Sequence, residues 1–277
     1  MNVRRGRVFW SLFSRAHPVN FVTAGTAGAE LFAAGPGAAL YTAGRMNTTP
    51  RLALVASAAL ALTACGSSPS LPAAPENQPP ATVVQGRVQT WSGTGTASLL
   101  TADGQRLARA DVAADGTFRL TLPEAAAVAG LTRTAAEVLS QGGSGCTGTV
   151  TSSDAAARGY AFATLNVQDA AGARQVLAAD IERTGPLSAA LLARTWLYAD
   201  RDTRLGGELN YGGLLGIASA PVSVDVRVKA GWNVVGIVLS ASAGLGGVSA
   251  GGSMSATTDV PTTWVTSAEL TSELPGR

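Results

Sequence analysis

The sequence predicts a mostly-β fold: one or more antiparallel β-sandwich-like domains with one helix around 124–141. Three observations carry this. Val222-Ser223-Val224-Asp225-Val226-Arg227-Val228 alternates apolar and polar residues, which places the valines on one face of a strand. Asp115-Gly116 supplies a positive-φ turn, after which Phe118, Leu120 and Leu122 fall on one face, the pattern of a hairpin. Glu124 to Gln141 reads as the helix: Pro123 precedes it, the body is rich in alanine with Val128, Leu131 and Leu139, and Gly142 stops it.

The fold is expected to begin at Val83. Val84 to Trp91 alternates and ends at a glycine-rich turn, and Ala97 to Ala102 forms a second strand closed by Asp103-Gly104. The Asp115-Gly116 hairpin and the helix follow. Beyond the glycine loop at 142–145, residues 161–169 and 174–182 flank Ala170-Ala171-Gly172-Ala173 as a hairpin. Residues 190–198 and 234–239 are apolar enough for buried strands, and Trp264 sits in a last short one. The glycine-rich stretches 206–216 and 244–252 lack the Gly-Lys-Ser/Thr ending of a phosphate loop and read as mobile connections. In domain terms, 83–123 is a β-sandwich-like segment and 142–277 a β-rich segment of the same domain or a second one.

The 83–123 stretch, with its opening Gly86-Arg87-Val88 and closing Asp115-Gly116-Thr117-Phe118-Arg119-Leu120, resembles the transthyretin-like or carboxypeptidase-regulatory-like β-sandwich repeats of secreted bacterial proteins. The resemblance implies a fold and brings no catalytic residue; an Asp-Gly hairpin in another sandwich fits as well. Farther on, Trp196-x-Tyr198-x-Asp200-Arg201-Asp202 followed by Lys229-x-Gly231-Trp232-Asn233 is similar to bacterial lipoproteins with no assigned activity.

Upstream of the fold, the chain reads as a targeting signal and a spacer. Met46 to Arg51 is a short positive n-region, and Leu52 to Ala61 is an apolar core too short to span a bilayer. Leu62-Thr63-Ala64-Cys65 then resembles a bacterial lipobox. The resemblance implies cleavage before Cys65 and lipidation of its thiol, with signal peptide 46–64, membrane attachment through the acyl chains, and a cell-envelope location. Two or three acyl chains make release negligible, whereas one holds only reversibly. Gly66-Ser67 follows, not the aspartate that resembles an inner-membrane retention signal, so the outer membrane is expected, facing the periplasm or the outside. Residues 66–82 are rich in Ser, Pro and Ala, and 65–82 reads as a disordered tether. Residues 1–45 read as a misassigned or disordered extension and take no part in the fold.

Charge narrows the partners. The whole chain carries 20 basic and 18 acidic residues, net +2. Its first 64 residues hold six arginines and one acid, which leaves 14 basic and 17 acidic groups after them, net −3. This offers no footprint for nucleic acid and no polybasic patch for anionic lipid. The expected partners are the membrane through the anchor and an envelope protein or glycan.

Residue types narrow the chemistry further. The only histidine is His17, so 65–277 has no imidazole for a Ser-His-Asp or Cys-His arrangement or a histidine zinc site. With Cys65 lipidated, Cys146 has no intramolecular partner, and without a base beside it the thiol is a poor nucleophile. Asp200 and Asp202 form the densest acidic site and are the candidates for a hard cation such as Ca2+. The pattern lacks the further ligands and closing glutamate of an EF-hand, and the other reading is a loop edge whose Asp and Arg pair in solvent. Trp91, Trp196, Trp232 and Trp264 are core residues or sugar-stacking platforms. No catalytic or cofactor-binding residue is assigned. A non-catalytic binding or structural role is expected, with a carboxylate-dependent glycan hydrolase as the rival.

Overall fold

A computed structural model describes residues 69–140, 146–215, 217–245, 247–259 and 263–272. Cys65, the signal segment 46–64, the extension 1–45 and the glycine loop at 142–145 lie outside the described residues. Two twisted sheets account for most of the rest. The first four strands are β1 (Val83–Val88), β2 (Gly95–Leu100), β3 (Arg106–Val112) and β4 (Thr117–Thr121). The β3–β4 turn is the expected Asp115-Gly116 hairpin, with Gly116 at φ +85°. Phe118, Leu120 and Leu122 are all buried, as their spacing predicts.

The expected helix is broken in two. Helix α1 (Ala125–Val128) runs into a 3-10 turn at Ala129–Leu131, where Gly130 costs helical stability. Residues Arg133–Thr134 are instead drawn into a short strand, β5, against Arg158 and Gly159. Helix α2 (Ala135–Ser140) then starts on a reciprocal cap. The Thr134 N–H donates to Glu137 Oε2 at 3.1 Å and the Glu137 N–H to Thr134 Oγ1 at 3.3 Å.

Next come β6 (Thr147–Ser152), β7 (Arg158–Phe162), β8 (Thr164–Asp169), β9 (Gly172–Leu177), β10 (Ala179–Gly185) and β11 (Ser188–Ala199). The stretches 161–169 and 174–182 are therefore not two continuous strands. The chain changes sheet at Ala163 and again at Ala178, so that only β8 and β9 form the hairpin, in the smaller sheet. Then follow β12 (Thr203–Asn210), α3 (Gly212–Leu215), β13 (Pro221–Val228), β14 (Gly231–Gly244), β15 (Gly247–Ala256), β16 (Thr263–Trp264) and α4 (Ser267–Ser272).

The smaller sheet has the order β16-β1-β4-β3-β2-β8-β9, and the larger β5-β7-β11-β14-β15-β13-β12-β6, with β10 on the free part of the β11 edge. The 83–123 segment does not complete its sheet alone: β8, β9 and β16 finish it. Strand β13 alternates as predicted, with Val222, Val224, Val226 and Val228 buried and the residues between them exposed.

The two glycine-rich stretches expected as mobile connections, 206–216 and 244–252, are in part strands: the first gives 206–210 to β12 and 212–215 to α3, the second 247–252 to β15. Residues 203–210 form β12, and 247–256 form β15 between β13 and β14. The reason is steric. A side chain at Gly252 would run into the Val238 carbonyl of the neighbouring strand, so the absence of a Cβ permits the close approach.

Between the sheets lies a core of Val84, Leu99, Leu120, Leu165 and Val176 from one side and Phe162, Trp196, Trp232 and Val234 from the other. The aromatic rings stack through it. Phe162 lies on Trp196 at 5.4 Å between centroids, Trp196 on Trp264 at 5.2 Å, and Phe118 meets Trp264 edge-on at 5.6 Å. The opposite face of the larger sheet buries a second cluster, including Leu197, Leu205, Val226 and Val235, under Leu139 of α2. Trp196, Trp232 and Trp264 are thus core residues. Trp91 is half-buried, with the Arg174 guanidinium 5.2 Å from its ring centroid.

The part of the expected tether that is described is a strap on the larger sheet. Ala81 bridges Trp232 and Ala73 bridges Thr257. Thr257 Oγ1 donates to the Pro72 carbonyl at 2.6 Å, and Leu71 packs at Gly236. Prolines cannot donate, but their carbonyls still accept, which is how a proline-rich segment docks on a sheet.

Candidate functional site

The strap roofs a groove of about 450 Å³. Strap residues Ala74, Pro75, Glu76, Gln78 and Pro79 form one side. The floor is Trp232, Val234 and Thr257, and the far wall is Ser153, Asp202, Arg204, Arg227 and Lys229. The wall exists because β12 and β13 pair with Arg204 opposite Arg227, so that their outward-facing residues line one rim. Arg204 holds Asp225 with both ends of its guanidinium, at 2.8 and 2.9 Å. Arg227 makes no salt bridge among the described residues. Among the described residues, the buried Gln78 Oε1 has no hydrogen-bond partner, and an uncompensated acceptor costs about 1–3 kcal/mol.

The corner beside the groove joins the two sequence motifs noted above. Tyr198 pairs with Trp232 and Leu197 with Asn233 in the β11–β14 register. The Asn233 side chain locks the turn between β13 and β14. Its Oδ1 accepts the Lys229 N–H at 2.9 Å, and its Nδ2 donates to the Lys229 carbonyl at 2.8 Å and the Gly231 carbonyl at 3.0 Å. The Trp232 indole N–H donates to the Pro123 carbonyl at 2.8 Å. The Asn233 lock spans only four residues, whereas the Trp232–Pro123 bond joins segments far apart in the chain, which no sequence spacing shows.

Asp200 and Asp202 are each engaged, with different neighbours. Asp200 Oδ1 accepts the Arg158 N–H at 2.9 Å, and its carboxylate takes Arg201 at 3.2 Å. Burial works against its charge, but the Arg158 N–H and the Arg201 guanidinium outweigh it and hold the carboxyl below the usual range. Asp202 Oδ1 accepts the Ala230 N–H at 2.8 Å and Oδ2 the Lys229 ammonium at 3.1 Å, and these two hold its carboxyl low as well. Among the described residues, no three His, Cys, Asp or Glu side chains converge as a metal site.

Cys146 is half-buried at the start of β6 and meets the Tyr211 hydroxyl. Burial pushes the thiol up, with the tyrosine opposing. That is the reverse of an activated nucleophile, whose thiolate is stabilised. One buried cation escaped the sequence reading: Arg194 of β11, 6% exposed, which binds Asp180 of β10 at 2.8 Å and Asp259. Its position in an apolar run gives no sign that two carboxylates from elsewhere meet it.

Comparison with protein-family models, with curated proteins and with solved structures finds no match to this chain. Among the described residues, no helix is long and apolar enough to cross a membrane. The rim thus carries Arg204 and Lys229 paired with Asp225 and Asp202, while Arg227 and Glu76 make no salt bridge among the described residues.

Proposed function

We propose that this chain is a lipid-anchored cell-envelope protein whose folded part binds a partner or serves a structural role. The observation that carries the reading is the order Met46–Arg51, Leu52–Ala61, Leu62-Thr63-Ala64-Cys65: positive, short apolar, then a small residue before cysteine. Acyl chains on Cys65 hold the protein at the outer membrane, and the strap joins that point to the fold. The groove beneath the strap is where an envelope protein or a glycan binds, with Arg227 and Lys229 contacting its polar groups.

One observation favours the rival hydrolase reading. Glu76 and Asp202 both line the groove, and glycan hydrolysis uses two carboxyl groups. Asp202, held low by Ala230 and Lys229, suits the base or nucleophile and not the acid. Turnover of envelope glycan by the intact protein, lost in Asp202→Asn, decides for that reading.

The anchor is tested by growing cells with labelled palmitate. Label is expected in the protein and absent from the Cys65→Ala variant. Equal label in both overturns the reading.

A further inference from the structure

We propose that the two hairpin tips of the larger sheet, carrying Leu187 and Leu245, dip into the lipid surface that holds the chain's own anchor; the proposal rests on the reading of Cys65 as lipidated. Among the described residues, the large apolar side chains left exposed are these two, Leu187 at 51% and Leu245 at 97%. They stand at one end of the molecule. Leu187 lies in the β10–β11 turn and Leu245 in the β14–β15 turn, and the Ala243 N–H donates to the Leu187 carbonyl at 2.9 Å, which sets the turns side by side.

The chemistry of the tips fits a lipid boundary. No charged residue occurs from Thr184 to Ala193 or from Ala230 to Thr258. Behind the tips, Ile181, Leu191 and Val248 gather around buried Ala241 in a small apolar cluster of their own. The nearest charges along the strands, Glu182 and Arg183, stand on β10 a few residues back, at the depth where headgroups would lie. Exposed apolar residues on a rigid hairpin, backed by a polar rim, mark a surface for contact with a membrane or another protein.

The course of the strap selects the membrane. Followed backward, the chain meets β14 at Trp232 (Ala81), then the level of Val234 (Ala73 on Thr257), then Gly236 (Leu71). It is heading toward the tips. From Gly236 to Gly244, at the end of β14, is about 26 Å of strand. From Leu71 back to Cys65, the chain spans at most about 20–22 Å. An acylated Cys65 sits at the bilayer surface, so the strap's end at Gly236 stands within that reach of the bilayer, and with β14 directed along the strap's course the tips arrive at the same surface.

The test uses the full-length, lipidated protein in a Cys146→Ser background. A single cysteine at Leu245→Cys carries an environment-sensitive fluorophore, and the protein is placed in phosphatidylcholine–phosphatidylglycerol vesicles. The control probe is at Arg109→Cys, exposed on the smaller sheet. The expected result is a blue shift and strong quenching by shallow doxyl-labelled lipid at 245, with neither at 109. An unshifted, unquenched probe at 245 on protein that carries palmitate and floats with the vesicles overturns the tip proposal while leaving the anchor intact. Absence of palmitate on Cys65 brings down the anchor reading and this proposal with it. A blue shift without vesicles that grows with protein concentration assigns the tips to a second copy of the chain and also overturns the proposal.

Discussion

Trp196 of β11 lies nearly flat on Trp264 of β16, with ring centroids 5.2 Å apart and planes 18° from parallel. One ring belongs to each sheet, so the stack is a direct tie between them. Both rings are almost wholly buried, at 1% and 0% exposure.

Replacing Trp264 by alanine removes this tie and the edge contact to Phe118. Loss of a buried aromatic of this size costs about 3–5 kcal/mol. A chemical-denaturation midpoint should fall accordingly, and an unchanged midpoint would show that β16 is not part of the cooperative fold.

Asn233→Ala should cost about 2–3 kcal/mol, since it leaves the Lys229 N–H and several carbonyls of the β13–β14 turn without their partner. Asn233→Asp should recover only part, because it keeps the Oδ1 acceptor for the Lys229 N–H and loses the donors. Thermal unfolding of the three proteins gives the ranking.

Asp202 predicts a pH window. Its folded carboxyl is held low by the Ala230 N–H and Lys229. Its contribution is therefore complete above the ordinary carboxylate value of about 4 and is lost as pH falls through the lower folded value. The stability gap between wild type and Asp202→Asn should be constant from neutral pH down to that point and then close. A gap that widens in acid would reverse the assignment.

Cys146 should react with small alkylating reagents more slowly at neutral pH than a free thiol does, since burial raises its pKa. Cys146→Ser should keep the hydroxyl contact with Tyr211 and shift stability within about 1 kcal/mol. Mass-resolved alkylation rates and a thermal melt check the two halves.

What the sequence disclosed follows from which forces are local. The alternation of β13 and the Asp115-Gly116 hairpin report side chains one or two residues apart, and both were legible. Strand β15 was not, because its glycines and serines have poor strand propensity and are there for the approach of Val238 and Pro221 on its neighbours. The break in the helix was readable in principle. Thr134-x-x-Glu137 is a capping box that starts a second helix, and Thr266-x-x-Glu269 does the same for α4. At the site, the residues of the groove come from five separated segments, and no spacing rule joins Gln78 to Arg227.

The parallel pairing of β1 with β16, Arg87 beside Thr263 and Val88 beside Trp264, dictates when this molecule can fold. One edge of the smaller sheet waits for residues some 176 positions downstream of its first strand, and contacts so distant in the chain are slow to form. A nascent chain emerging amino-terminus first holds β1 to β4 without their final edge, and without the Trp196–Trp264 stack, until nearly its whole length is available. Under the proposed export, that delay would keep the chain threadable until its last strand had crossed.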